Sequence, residues 1–247
     1  MIIKHKYFLL ALTLFVVFGC EKNAFFDAGD VATKTFEVDT FYTLEVNAIF
    51  EIELQNSDKN MVIAEGGSNL LGNLDFYNQG NKLFLKDNNK FDWSRKYDKI
   101  KLTLQTTSLN HINIRIPCEL TTSSTFKGNS LSITDWEKFS EIDIEVDVKE
   151  FRFGVSSDNA GICKVSGRAE SVRLRPWGSC FIYADELVAK RASITHSSIG
   201  DCFVNANENL DISIDENGTI YYAGEPEINI IHKSAGNIVS LEHQLKN

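Results

Sequence analysis

Ile142-Asp-Ile144-Glu-Val146 before Phe151, Cys163-Lys-Val165-Ser-Gly167 before Val172, Cys180-Phe-Ile182-Tyr-Ala184 before Leu187, Cys202-Phe-Val204-Asn-Ala206 before Leu210, and Ile220-Tyr-Tyr222-Ala-Gly224 before Ile228 are five returns of one pattern. It reads apolar, any, apolar, any, small, a short gap, then apolar again. The starts are 21, 17, 22 and 18 residues apart. A repeat of roughly 20 residues with period-two alternation inside each unit predicts a β-solenoid, because one coil buries its inner face only by stacking on its neighbours. The regular coils are expected over 142–231.

Turn clusters separate the repeats: Ser156 to Gly161, Pro176 to Ser179, His196 to Gly200 and Asp215 to Gly218. Such residues supply the corners of a tight coil. Upstream, Phe50, Ile52 and Leu54 alternate with Glu51, Glu53 and Gln55, and the same alternation returns at Ile100, Leu102, Leu104 and at Ile112, Ile114, Ile116. Each reads as a strand with one wet face. Leu70 to Tyr77 is ambiguous, and Asn88 to Lys99 reads as a polar loop carrying Trp93. No stretch has the pattern of a long amphipathic helix. With three prolines in 247 residues and abundant β-branched positions, the chain reads as all-β.

The first residues read as a leader, not as fold. Lys4 and Lys6 precede an apolar run from Tyr7 to Phe18, and Val17-Phe18-Gly19-Cys20 follows as a lipobox-like site. The run is too short for a permanent membrane span. Residues 1–19 are thus expected to be a lipoprotein signal peptide and Cys20 the lipid attachment site; the alternative is an ordinary secreted protein with a stray cysteine. Residues 20–33 read as a flexible tether, 34–241 as one β domain and 242–247 as a polar tail. Removing the leader takes two of the 25 basic residues against 34 acids, moving the net charge from -9 to about -11. That balance argues against nucleic acid and against a polybasic hold on anionic lipid. The expected address is the cell envelope, with the chain lipid-anchored to the outer membrane on its surface or periplasmic face.

Phe50-x-Ile52-x-Leu54, Asn69-Leu70-Leu71 after a Glu-Gly pair, Gly80-Asn-Lys-Leu83, the closing Gly218-Thr-Ile220-Tyr-Tyr222-Ala-Gly224-Glu-Pro226-Glu-Ile228 and Lys233-Ser-Ala-Gly236 occur in an order that resembles the GIN-domain family. That family is the head domain assigned to auto-transporter adhesins and is carried by many exported bacterial lipoproteins. The resemblance covers nearly all of the chain after Cys20. It implies a right-handed single-stranded β-helix of pectin-lyase-like architecture, no established catalytic residues and a role in adhesion. Here the corners are often Asn-, Asp- or Ser-rich where the family favours a Ser-Gly-x-Gly turn.

Little in the sequence carries chemistry. Neither GxSxG, HExxH, a phosphate-binding glycine loop nor Cys/His metal spacing occurs, so no catalytic residue, metal or cofactor is assigned. Cys163, Cys180 and Cys202 hold the same position of the repeat and are expected to form a ladder of buried thiols, with disulfides as the alternative. His111, His196, His232 and His243 follow no motif, and Arg173 and Arg175 with the scattered acids read as a solvated face.

One feature of the outer face stands apart. If Cys180, Ile182 and Ala184 point inward, Phe181 and Tyr183 point out, and the same parity exposes Phe203 and Tyr221. Lys164, Phe181, Phe203 and Tyr221 are expected to stack in one column, with Trp177 in the preceding turn. Such a row would suit a glycan or a protein partner, or would be covered by another part of the assembly. A non-enzymatic binding or adhesion module is therefore expected. The alternatives are a pectin-lyase-like enzyme and a periplasmic scaffold or homo-oligomer joined through open solenoid ends.

Overall fold

The computed structural model describes residues 28–89, 99–156 and 158–244. The leader, Cys20, most of the expected tether, Trp93 and the last three residues lie outside these. Strands in the first half are β1 (Val31–Glu37), β2 (Thr43–Val46), β3 (Glu51–Asn56), β4 (Met61–Gly67), β5 (Leu74–Gln79), β6 (Lys82–Asp87), β7 (Lys101–Thr106), β8 (His111–Ile114) and β9 (Glu119–Thr122). Longer strands follow, β10 (Phe126–Asp135), β11 (Glu141–Val155) and β12 (Ile162–Arg175), then the two-residue β13 (Trp177–Gly178), then β14 (Phe181–Ser198) and β15 (Cys202–Ile214). The chain closes with β16 (Thr219–Ala223), β17 (Glu227–Lys233) and β18 (Asn237–Ser240). Among the described residues the helices are two single turns, α1 (Ser68–Leu71) and α2 (Leu241–Gln244). β1 begins at Val31, so the strand takes up the end of the stretch read as tether.

These strands form a β-solenoid of about 6 turns joined to a mixed sheet. β11, β12, β14 and β15 each contribute to two walls. The first wall stacks β9, then the opening residues of β11, β12, β14 and β15, then β16 and β18, all parallel. The second wall stacks β8, the ends of β10, β11, β12, β14 and β15, and finally β17. Burial alternates within each wall and slips phase between them, as in β11, where Ile142, Ile144, Val146 and Val148 are buried on one side of the slip and Phe151 and Phe153 on the other. Period-two alternation on parallel strands shared by two walls thus produces a closed apolar interior.

The register differs from the one the repeat suggested. Ile142, Cys163, Ile182, Cys202, Ile220 and Ile238 are directly opposite one another. Their separations are 21, 19, 20, 18 and 18 residues, more even than the sequence alignment gave. The third repeat therefore starts at Ile182, and Cys180 sits two residues earlier. Sterics at the preceding corner fix this choice. A Cβ on Gly200 would overlap the Cys180 carbonyl oxygen, and one on Gly218 would overlap the Gly200 oxygen, so glycines stack where consecutive coils approach most closely. Cys180 belongs to that corner column. The expected thiol ladder is accordingly broken, since Ile182 stands between Cys163 and Cys202. All four described cysteines are free and buried, and behave as small apolar side chains.

The first half departs from this serial stacking. β2 lies between β6 and β8, and β3 lies between β7 and β9, all parallel. The coil made first thus sits between the coil made second and the coil made third. β5 runs antiparallel to β6, β4 antiparallel to β7, and β1 antiparallel to β4, which ends the stack in a mixed sheet. Phe41 and Phe50 are fully buried here, with Phe126, Phe151 and Phe153 at the junction with the regular coils. Beyond the junction the interior is Ile, Leu and Val interspersed with Ala184, Ala189, Ala192, Ala206 and the thiols.

Candidate functional site

Register places Asp143, Lys164, Tyr183, Phe203, Tyr221 and Val239 in one outward column of the first wall. Strands in such a wall are about 4.8 Å apart, close to the thickness of stacked rings, so the sheet itself sets the ring spacing. Tyr183 and Phe203 stack with centroids 5.2 Å apart at 15°, and Phe203 and Tyr221 at 4.7 Å and 11°. The expected row exists, but Tyr183 occupies the place given to Phe181. The two-residue shift of the third repeat moves Phe181 into the neighbouring column, opposite Ile162.

Trp177 does not join the row. It pairs with Ser197 near the end of the second wall, and a corner separates it from Phe181. Trp177 is 51% exposed, and no other ring stacks on it among the described residues.

The co-facial packing has a chemical consequence. Internal ring faces cover each other, leaving the edges and the Tyr183 and Tyr221 hydroxyls facing outward. A ridge of this kind contacts a partner through edges and hydrogen bonds, while stacking on a planar face is open only at its ends. At the Tyr183 end the wall turns polar. A shallow depression of about 330 Å³ is lined by Asp143, Lys164, Tyr183, Asp185 and Glu186, and a second of about 240 Å³ by Glu119, Glu141, Asp143, Ile162 and Lys164. The apolar ridge therefore continues into a mainly acidic groove with one lysine in its floor. No group of three or more metal-ligating side chains assembles among the described residues.

A second constellation gave no local sign in the sequence. Glu45 on β2 is buried, and its carboxylate accepts from Lys82 Nζ at 2.8 Å, Asn113 Nδ2 at 2.9 Å and Arg115 Nε at 3.3 Å. Burial by itself raises the carboxyl pKa, but the three donors outweigh it and hold Glu45 below its ordinary value. Arg115 also lies 4.7 Å over the Trp136 ring. The partners come from β6, β8 and the residue after β8, so only the interleaved topology brings them together. The buried thiols show the opposite tendency. Burial pushes Cys180 up to about 12 and raises Cys118, Cys163 and Cys202 as well, which leaves them without thiolate character near neutral pH.

Fold and surface together define a β-solenoid that presents one aromatic ridge and one acidic groove. The family model described as "Putative auto-transporter adhesin, head GIN domain" matches residues 40–226, and the chain belongs to this GIN-domain family. Among solved structures, one described as a putative adhesin from Bacteroides fragilis aligns with a TM-score of 0.77 at 22% identity, covering 85% of this chain and 96% of that one. A putative adhesin from Parabacteroides distasonis aligns at 0.63 and 15%, covering 86% and 98%. A structure from the same organism described as a putative lipid binding protein aligns at 0.63 and 18%, covering 86% and 97%. At these identities the likeness shows the fold. A search of curated proteins finds no match.

Proposed function

We propose that the chain is a lipid-anchored, non-enzymatic adhesion module of the cell envelope, a right-handed β-helix that engages a protein partner through the first wall. The observation that carries this reading is the Tyr183, Phe203, Tyr221 ridge running into the acidic groove around Lys164. Aromatic ridges with a polar border are the chemistry of interface cores and rims, and the groove favours a partner with basic side chains beside apolar ones. Membership of a family named for adhesins supports the same reading. The proposed anchor is lipid on Cys20. Ala28 accepts from the Asn69 backbone at the mixed-sheet end, so eight residues of reach, roughly 28 Å, would hold that end near the membrane and direct the coils outward.

The test uses intact cells producing the full chain with an epitope tag after Asn247. Protease added outside is expected to remove the tag while a periplasmic marker survives. Adhesion of these cells to an immobilised panel of matrix proteins is expected to fall at least tenfold when Tyr183, Phe203 and Tyr221 are all replaced by Ser. Equal adhesion by the triple variant, or a tag protected until the outer membrane is permeabilised, defeats the proposal.

A further inference from the structure

The second wall carries a different chemistry. Arg152 and Arg173 stand directly opposite each other on adjacent strands, Arg175 lies beside Gly154, and Arg191 lies opposite Ser171. All four arginines are exposed. Like charges directly opposed across strands destabilise a sheet. Nevertheless Glu150, 2.7 Å from Arg152, is the one carboxylate in an ion pair with this group among the described residues. Arg173, Arg175 and Arg191 therefore keep their guanidinium forks free on a chain of net charge -9. Trp177 follows Arg175 by two residues, on the same outward parity, and is half exposed. Its register partner is Ser197, which donates to Asp215 Oδ2 at 3.1 Å, and Ser193 lies between Arg173 and Asp211, so small hydroxyl side chains separate the patch from the carboxylates of the next coil.

Guanidinium forks match planar carboxylates and sulfates with paired hydrogen bonds. An uncovered tryptophan face beside them accepts the apolar face of a sugar ring, and the surrounding hydroxyls can exchange hydrogen bonds with sugar hydroxyls. We propose that this patch binds an acidic polysaccharide, with its anionic groups on Arg173, Arg175 and Arg191 and one sugar ring on Trp177. A chain of sugar rings carrying anionic groups fits better than a nucleic acid. Duplex DNA carries about one charge per 1.7 Å and would meet the acidic remainder of the protein, and single strands are held by successive aromatic platforms where this patch offers one. The site is distinct from the first-wall ridge and stands without it.

The test measures binding of the purified full chain to polygalacturonate and dextran sulfate, with uncharged dextran, poly(dT) and phosphatidylglycerol vesicles as comparators. Both acidic polysaccharides are expected to bind, more weakly as salt rises, and uncharged dextran is expected not to bind. The double variant Arg173→Glu/Arg175→Glu should lose at least tenfold in affinity. Trp177→Ala should lose about threefold to tenfold. The positions are exposed, and unchanged circular dichroism confirms that the variants fold. The Tyr183, Phe203, Tyr221 triple Ser variant should bind both polysaccharides like the parent chain, which separates this site from the adhesive ridge. Failure of both polysaccharides to bind, binding indifferent to the arginine reversal, or tighter binding of poly(dT) or vesicles through the same residues overturns the proposal.

Discussion

The two halves of the molecule use the same strand chemistry and arrange it differently. From β10 onward each coil stacks on the one before it, and chain order equals spatial order. Before β10 the β2–β3 coil is enclosed by two later coils, and three antiparallel strands finish the stack. Serial stacking places small interior residues such as Ala184, Ala189, Ala192 and Ala206 between similar coils on either side. The interleaved half and the first two strands after it hold the buried rings Phe41, Phe50, Phe126, Phe151 and Phe153 and the buried carboxylates Glu45 and Asp135. The central strands of the interleaved half meet partners about 40 to 70 residues away, whereas neighbouring coils are about 20 residues apart.

That contrast is broken most directly by truncating one side chain in each half. Phe50 is fully buried beside the mixed sheet, and Phe50→Ala is expected to cost about 3–5 kcal/mol. Cys202 is equally buried in the coils, but Cys202→Ala removes a group about the size of one methylene, and the loss should be about 1 kcal/mol. Urea denaturation of both variants measures the difference. Equal losses would mean that the Phe50 site collapses around the truncated side chain and that the ring carries no concentrated packing.

Glu45 gives the next effect in size. Glu45→Gln keeps the volume and removes the charge that Lys82, Asn113 and Arg115 address. Hydrogen bonds to a charged group contribute about 1.5–3 kcal/mol, and the half-exposed cations put this change at the lower end. The sign with pH follows from the depressed carboxyl. Its contribution is complete above the ordinary glutamate range and is lost as pH falls through the lower folded value, where the native carboxylate takes up a proton. Parent and Glu45→Gln stabilities, followed from pH 7 to pH 3, should therefore converge at the acid end. Parallel curves would show that the cluster carries no net stabilisation.

The same contrast explains what was legible in the sequence. A repeat is readable when adjacent coils are also consecutive, so the architecture over 142–231 and the outward parity of Tyr183, Phe203 and Tyr221 were accessible from alternation. The register was not. Cys180 and Cys202 share a residue type and a following Phe, and that match outweighed the Gly200 and Gly218 corner whose close carbonyl contacts set the coil boundary. The two-residue slip exchanged Phe181 for Tyr183 and suggested a thiol ladder. Trp177 stands in the turn before Phe181, as its place in the sequence suggests, but that turn is a corner, and the ring lies on the other wall. In the interleaved half, nothing local to Leu44-Glu45-Val46 distinguishes a buried, three-donor carboxylate from the wet face of a strand.

The smallest effect concerns where acid first loosens the molecule. His196 is fully buried on β14, and both ring nitrogens lack a hydrogen-bond partner among the described residues. Burial lowers its pKa, and the nearby Gly200 backbone and the charge of Asp201 offset this only in part. The unfolded imidazole titrates near 6.5 while the folded one stays neutral to lower pH. Below about 6.5 the unfolded chain therefore binds a proton that the folded chain refuses, and stability falls as pH decreases until the folded value is passed. Glu45 responds only at lower pH, so the coils should lose protection before the mixed sheet does. Amide hydrogen exchange at pH 7.0 and 5.5, corrected for intrinsic rates, should show faster opening around residues 194–218 and little change in β2, β3 and β6. In His196→Leu that pH-dependent difference should disappear. Its persistence in the variant would remove His196 as the cause, and faster opening of β2 and β3 at pH 5.5 would show that the two halves do not respond to acid separately.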